Sequence, residues 1–475
     1  MAKRLTLTRR EILAGTAATA LSSSVAWAQG AAAKPNIVYI MADDLGFADL
    51  SCYGRREYKT PNIDSLAASG IKFLQAYANS AVCSATRTAL ITGRYQYRVR
   101  VGLEEPISYR SQQGLPPEHP TLPSLLKKAG YGTTLVGKWH LGGLPKFGPL
   151  QSGYDHFWGF RWGALDYFTH KYGVASSDTE DLWDDDAKIH EVGYLTDLLG
   201  DRAVKVIGDY AKSQQPFLLS LHFNAPHWPW EGPGDEAESQ RIKALVDHDG
   251  GSMKTYAQMV TRMDVQVGRV LKALETNRIA NNTIVVFTSD NGGERFADTW
   301  PFSGKKTELL EGGMRIPALV RWPRHIRAGS TTDQVAITMD WMPTFLAAAG
   351  GAPDPAYPLD GINLLPQLQG AAPVPRHLYW RYHFNEQRAL RDGDMKYLRI
   401  NGNEFLFNVV EDPLERANLK EREPEVFKRM VQAYDEWNAT MLPEVNDVST
   451  GPLGYADQVA DHFGVQRKEV NVQRK

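Results

Sequence analysis

From about residue 36 to residue 350 the chain alternates short apolar runs with longer stretches whose apolar positions return every three or four residues. The short runs, at 36–42, 133–136, 216–223, 283–288 and 316–322, predict strands buried on both faces, because a covered sheet leaves no polar side. The longer stretches, at 121–129, 194–212 and 255–277, carry helical periodicity. This alternation predicts an α/β fold with a mostly parallel central sheet flanked by helices. After about Pro366 the runs shorten and are separated by Asp392-Gly393-Asp394 and Asn401-Gly402-Asn403, which read as hairpin turns. They predict a smaller C-terminal subdomain with an antiparallel sheet, a helix at 425–442, and a weakly periodic tail from 443. Prolines 353, 355, 358, 366, 373 and 375 mark the boundary, dividing the chain into 29–365 and 366–475.

The first residues follow neither pattern. Lys3, Arg4, Thr8-Arg9-Arg10-Glu11-Ile12-Leu13, an apolar stretch through Val25 and Ala26-Trp27-Ala28 resemble a twin-arginine export signal with an A-x-A cleavage site. The expectation is a leader over 1–28, the twin-arginine translocation machinery as a partner, and a periplasmic or secreted product. The stretch is short and rich in Ala, Ser and Thr, which argues against a stable membrane anchor. That route moves folded proteins, so a side-chain modification or a metal is installed before export. Lys plus Arg number 53 against 55 Asp plus Glu in 475 residues, a formal charge of -2, which argues against nucleic acid as a partner. Any anion site is therefore local. With only Cys52 and Cys83 a disulfide scaffold is excluded, and a single bridge between them is the remaining pairing.

Four predicted strands deliver chemistry at their carboxyl ends. The run at 36–42 leads into Asp43-Asp44, and the run at 283–288 leads through Ser289 into Asp290-Asn291-Gly292-Gly293. These are hard oxygen donors suited to Ca2+ or Mg2+, not to a thiol-rich zinc site. The other two runs lead into Lys138-Trp139-His140 and Ala225-Pro226-His227, supplying cations and bases. Ligands of open α/β sheets bind beyond the carboxyl ends of strands, so the four clusters are expected to converge.

Four separated segments carry a family resemblance: Ala81-Val82-Cys83-Ser84-Ala85-Thr86-Arg87 with its apolar continuation to Thr92-Gly93, Gly137-Lys138-Trp139-His140 at a strand end, Glu311-Gly312-Gly313-Met314-Arg315-Ile316-Pro317, and Asp412-Pro413-Leu414-Glu415-Arg416-Ala417-Asn418-Leu419. Together they resemble the formylglycine-dependent sulfatases of the alkaline-phosphatase-like superfamily. The resemblance implies that Cys83 is oxidised to 3-oxoalanine (formylglycine), whose hydrate attacks sulfur with one hydroxyl and expels sulfate by collapse of the other. It implies Ca2+, with Mg2+ as the alternative, bound by Asp43, Asp44, Asp290 and Asn291 with the modified Cys83. Arg87 would fix the hydrate and His140 would be the base for the collapse. Lys138, His227 and a lysine would cradle the sulfate, with His227 or that lysine protonating the leaving oxygen. The family's five-residue spacing before Glu311 selects Lys306 over Lys305.

Ala85 stands where the family has proline, which implies a radical-type or tolerant maturing enzyme acting on Cys83. The implied substrate is an aryl or carbohydrate sulfate monoester. A phosphonate or phosphate ester hydrolase of the same superfamily, or a noncatalytic sulfo-ligand binder with unmodified Cys83, are the alternatives. Trp158, Arg161, Trp162, Asp166 and His170 are expected on the substrate side of the pocket, and Glu104, Asp184, Asp185 and Asp186 as surface charges.

Overall fold

In chain order the strands are β1 (Asn36–Ala42), β2 (Ile71–Phe73), β3 (Ala76–Tyr77), β4 (Gly132–Lys138), β5 (His156–Phe160), β6 (Trp183–Asp184), β7 (Ala187–Lys188) and β8 (Phe217–His222). There follow β9 (Thr283–Ser289), β10 (Ala318–Arg321), β11 (Ser330–Thr332), β12 (Ala336–Ile337), β13 (His377–Tyr382), β14 (Gln387–Asp392), β15 (Met395–Ile400) and β16 (Asn403–Asn408). This computed structural model describes residues 34–172, 180–241 and 250–450. The leader expected at 1–28 and the tail beyond 450 lie outside the described residues.

Ten strands form one sheet in the order β11-β2-β10-β9-β1-β8-β4-β5-β6-β7. Its centre, β9-β1-β8-β4-β5, is parallel, so five strands end on the same edge. Every residue of β1, β4, β8 and β9 is buried. Alternation splits these strands between two cores: Val38, Ile40, Leu219, Leu221 and Phe287 face one side, Ile37, Tyr39, Leu218, Ile284 and Val286 the other. The first side is covered by helices Leu195–Ser213 and Met253–Thr276, whose apolar positions Leu199, Ala203, Ile207, Met263, Val267 and Val270 join that core. Ser252 caps the second of these helices by accepting from the Thr255 amide at 3.0 Å. The other side packs on Leu122–Lys128, opened by a Thr121–Ser124 capping box, and on Trp341–Ala349.

The apolar run at 316–322 is a strand over Ala318–Arg321, but it pairs antiparallel with β9. Its amino end, not its carboxyl end, therefore faces the edge where the parallel strands finish, and the Glu311–Pro317 segment precedes it there. The run at 133–136 extends to Lys138, because Gly137 (φ 110°) continues the pairing where a side chain could not. A Cβ on Gly137 would lie 1.9 Å from the His222 carbonyl oxygen.

The C-terminal sheet is the antiparallel ladder β13-β14-β15-β16, with turns at Gly393 and at Asn401-Gly402. Helix Pro424–Asn438 packs Met430 and Tyr434 against Leu390, Tyr397 and Leu406. Cys52 and Cys83 are both free thiols, so the single-bridge pairing is not formed. Cys52 sits in a one-turn helix, Ser51–Tyr53, its amide tied to Asp64.

Candidate active site

β1 and β9 end side by side, which brings two acidic turns together. Asp44 adopts a left-handed conformation (φ 63°), and its amide donates to Asp290 Oδ1 at 3.2 Å. Asn291 Nδ2 donates to Asp44 Oδ1 at 2.7 Å, which fixes the amide so that its oxygen is free. Three carboxylates this close, at most 2% exposed, require cations. Lys138, at the end of β4, reaches Asp43 Oδ2 at 2.6 Å, and Lys306 reaches Asp44 Oδ2 at 2.6 Å. Lys305 is partly exposed on the neighbouring position, so the fold directs Lys306 inward.

The segment 81–92 enters as helix Cys83–Thr92, all ten residues of which are buried. Its first residue is Cys83 and no side chain caps it, so the positive end of the helix opens at the thiol. One turn on, Arg87 donates Nε and Nη2 to Asp290 Oδ2 at 3.1 and 2.7 Å, and Nη1 to the Lys138 carbonyl at 3.1 Å. Burial raises the Asp290 carboxyl, but Arg87 and Lys138 outweigh it and hold the group below its usual range. Asp43 goes the other way: burial, then the neighbouring Asp290, pushes it well above the carboxylate range despite Lys138.

His140 takes a left-handed backbone (φ 57°) just past β4 and turns its ring to Cys83. Nε2 lies 3.0 Å from the Ile107 carbonyl, which can only accept, so Nε2 carries the proton. Nδ1 then presents its lone pair to Cys83 Sγ at 3.3 Å. The same logic puts the His227 proton on Nδ1, 2.6 Å from the Trp228 carbonyl, leaving Nε2 3.5 Å from Asp44 Oδ2. Burial first, then Lys138 for His140 and Lys306 for His227, keeps both imidazoles well below the ordinary histidine range. Burial pushes the Cys83 thiol up, against the pull of Lys138 and Lys306.

Two buried oxygens in this cluster, Asp43 Oδ1 and Asn291 Oδ1, have no hydrogen-bond partner. Ligand atoms of Asp43, Cys83 and Asp290 lie within 4.8 Å of one another, as do those of Asp43, Asp44 and His227. Orphaned oxygens on these two acidic turns fit a hard divalent cation, which would satisfy them.

Above the cluster opens a cavity of about 300 Å3, with Cys83, His140 and His227 in its floor and Ile107, Tyr109, Trp162, Tyr172, Trp228 and Ser449 among its walls. Of the residues expected on this side, Trp162 lines it. Trp158 points instead into the core of the sheet, and Arg161 stacks on Trp183 at 3.9 Å while pairing with Asp186. Asp166 accepts from the Ser239 hydroxyl and two loop amides, and His170 is buried on the Gly193 carbonyl. Glu104 is not a surface charge: it is 3% exposed, pairs with Arg100, and accepts the Ser449 amide at 2.8 Å. Asp184 and Asp185 are half-buried rather than free, Asp184 pairing with Arg202 and Asp185 accepting the Phe157 amide.

The site also includes residues that sequence reasoning passed over. His222, the last residue of β8, places Nδ1 3.3 Å from Arg87 Nη1. Burial and then Arg87 lower its imidazole to about 3, so it stays neutral beside the guanidinium. Partly buried Glu294 is pushed up to about 7 by desolvation, with Lys306 pulling back. Gln387 of β14 reaches across from the C-terminal sheet, taking the Leu309 amide at 2.8 Å and donating to the Thr307 carbonyl at 2.9 Å. His222 stood in a quoted strand end; nothing local marked Gln387, whose role depends on a contact 80 residues away in sequence.

Comparison with known proteins agrees with this geometry. Residues 35–352 match the sulfatase family, and residues 302–436 match the C-terminal part of N-sulphoglucosamine sulphohydrolase. The chain is similar to mouse arylsulfatase J, 30% identical over 86% of this chain and 77% of that protein. It is also similar to human N-acetylgalactosamine-6-sulfatase, 34% identical over 74% of this chain and 69% of that protein. Among solved structures, Ps i-CgsB in complex with k-i-k-neocarrahexaose superposes with a TM-score of 0.79 at 31% identity, covering 88% of this chain and 95% of that one. The phosphonate monoester hydrolase of Agrobacterium radiobacter shares the fold at a TM-score of 0.60 and 21% identity, over 85% of this chain and 95% of that one. The convergence of Cys83 with the acidic turns of β1 and β9, and the family match over most of the sheet, lead to one conclusion: the chain belongs to the sulfatase family, sulfuric ester hydrolases with the alkaline-phosphatase-like fold.

Proposed function

We propose that this protein is an exported sulfatase that hydrolyses an aryl or carbohydrate sulfate monoester with Cys83 in its 3-oxoalanine form. The observation that carries the reading is the facing of Cys83 Sγ and the lone pair of His140 Nδ1, 3.3 Å apart, at the edge of the acidic cluster. Sγ stands where an oxygen of the hydrated aldehyde would stand. In that form the side chain supplies two hydroxyls on one carbon, one to displace the alcohol from sulfur and one to drive out sulfate.

Asp43, Asp44, Asp290 and Asn291 would hold Ca2+ or Mg2+, which supplies polarisation of a bound oxygen. Arg87, anchored on Asp290, keeps the Cys83 side chain beside these ligands. Lys138 and Lys306 neutralise the sulfate oxygens, and both are buried, so little solvent screens their attraction for the developing anion. His140 takes the proton of the second hydroxyl, a role for which its accepting Nδ1 is set by the Ile107 carbonyl. An anion seated between His227 and Lys306 offsets the Lys306 repulsion that, after burial, keeps His227 neutral. His227 then binds a proton with the substrate and returns it to the leaving oxygen. Burial works against the Lys306 ammonium, but Asp44 and Glu294 more than compensate, so Lys306 remains the fixed charge of the pair.

The twin-arginine-like pattern over 1–28 supports a leader that would deliver the product to the periplasm or outside the cell, after a maturing enzyme has oxidised Cys83. No helix of the described residues is long and apolar enough to cross a membrane. Among relatives, carbohydrate sulfatases support a sulfated sugar as one class of substrate. Parallel assays of the matured protein on an aryl sulfate, a phosphate monoester, a phosphate diester and a phosphonate test the assignment. Sulfate release is expected to dominate; a dominant phosphonate or diester rate overturns it.

A further inference from the structure

Above its charged floor the cavity is built from aromatic and apolar side chains, and this limits what can be attached to the sulfate. The rings of Tyr109 and Tyr172 lie 5.2 Å apart at 61°, and those of Trp162 and Tyr172 6.2 Å apart at 50°, forming a continuous wall. Among the described residues that line the cavity, none above Cys83, His140 and His227 is charged. The wall is pinned. The Ile107 amide donates to Ser84 Oγ at 2.9 Å, and the Glu105 amide donates to the Ser449 carbonyl at 2.7 Å. The Ser449 amide in turn is held by Glu104. The carboxylates immediately before the wall, Glu104 and Glu105, are buried. Glu104 is paired with Arg100, so these groups bring no positive charge to the wall, and Arg110, next to Tyr109 in sequence, is turned onto the Tyr109 ring and hydroxyl.

Resting on the sulfatase reading for the floor, we propose that this pocket selects a flat ring bearing one sulfate and no second anion, its face against Tyr109, Trp162 and Tyr172. The volume, about 300 Å3, is at the small end of ligand pockets and fits a single terminal ring. The aromatic faces reward an apolar or aryl face, and a second sulfate on the same ring would be desolvated with no cation among the described lining residues to meet it. Discrimination of this kind is strong because the penalty falls on an unpaired buried charge. Polysulfated rings are therefore poor ligands, and sugar substrates enter through a singly sulfated chain end.

Equilibrium binding of non-hydrolysable analogues tests this independently of turnover, with benzenesulfonate, meta-benzenedisulfonate and inorganic sulfate titrated calorimetrically into the matured protein. The monosulfonate is expected to bind at least about tenfold more tightly than the disulfonate, a difference of about 1.4 kcal/mol. Trp162→Ala and the exposed-ring variant Tyr109→Ala should each weaken the monosulfonate by about tenfold while leaving inorganic sulfate unchanged. Equal or tighter binding of the disulfonate, or loss of sulfate binding in parallel with the sulfonate, overturns the proposal. If the binding pattern holds but the matured protein cleaves no sulfate ester, the ring-selecting pocket stands and the hydrolase assignment fails.

Discussion

At the scale of single residues the site is a set of charges and lone pairs that leave each other few choices. His140 is fixed at both nitrogens, by the Ile107 carbonyl and by Cys83, and Gly163 lies close against its ring. A Cβ at Gly163 would lie 2.6 Å from His140 Cε1 and 2.8 Å from Nε2. Gly163→Ala must therefore displace the ring, which cannot move without losing one of its two contacts. Turnover is expected to fall by about 10²-fold, the usual consequence of misplacing a reacting group by about 1 Å, with the circular dichroism spectrum unchanged. Unaltered kcat in the folded variant would show that His140 does not act on the Cys83 side chain. The carboxyl ends of the predicted strands placed Asp43, Asp44, Asp290, Asn291, Lys138, His140 and His227, the family resemblance singled out Lys306, and the structure brings all of them to one edge. Trp158 and Arg161, expected on the substrate side of the pocket because they are polar or aromatic, instead go into the core and onto Trp183.

At the scale of elements, the loop that delivers Lys306 is held from two directions. Its backbone is tied to the acidic turn after β9, Lys306 N donating to the Gly293 carbonyl at 2.9 Å, and to the cysteine segment, Thr307 N donating to the Ala81 carbonyl at 2.9 Å. Thr307 carries φ 72°, a costly conformation for a β-branched residue, so something must over-determine it. Gln387 does so from β14, and just beyond, Glu311 is buried between Arg315 and Lys396 while its amide is held by Glu415. The C-terminal sheet is thus part of the active-site scaffold. Gln387→Ala leaves a buried amide and a carbonyl unpaired, at a cost of about 1–3 kcal/mol each. It is expected to lower kcat through Lys306 more than it lowers the melting temperature, and Gln387→Glu, which keeps one acceptor, should be intermediate. A loss of stability with full activity would contradict this coupling. The ladder itself was readable from the turns at Gly393 and Gly402; its docking was not, because no local pattern reports a contact to the Lys306 loop.

For the whole molecule the parallel order of β9-β1-β8-β4-β5 explains why residues from 43 to 306 share one site. Helical and strand periodicity made that architecture legible from the sequence, with boundaries within a few residues. It did not reveal the antiparallel sense of β10, because an apolar strand buried on both faces reads the same in either direction. The fold also buries many ionisable groups, with consequences for pH. Burial raises Glu105 and Glu308 to about 8 and Glu231 to about 9, so the folded state holds protons that the unfolded chain has released above its usual glutamate range. Their contribution is complete at low pH and is lost as pH rises through about 8 to 9. Buried His119, His140, His170, His222 and His227 are lowered, so they destabilise the fold as pH falls below about 6.5, the unfolded value. Thermal stability is expected to peak between these windows and to fall between about pH 7 and pH 9, a decline that Glu105→Gln should reduce. A melting temperature that rises steadily to pH 9 would refute the burial argument.

The central claim is that Cys83 becomes the reactive group of a sulfate ester hydrolase. It is tested most directly by measuring, in one set of preparations, the aldehyde fraction of the peptide containing residue 83 by mass spectrometry and the rate of sulfate release from an aryl sulfate. Preparations made with and without a maturing enzyme that accepts Ala85 supply the range. The account predicts a rate proportional to the aldehyde fraction, extrapolating to zero for the pure thiol. A thiol-only preparation that releases sulfate as fast as the aldehyde form, or a fully converted one that releases none, would contradict it.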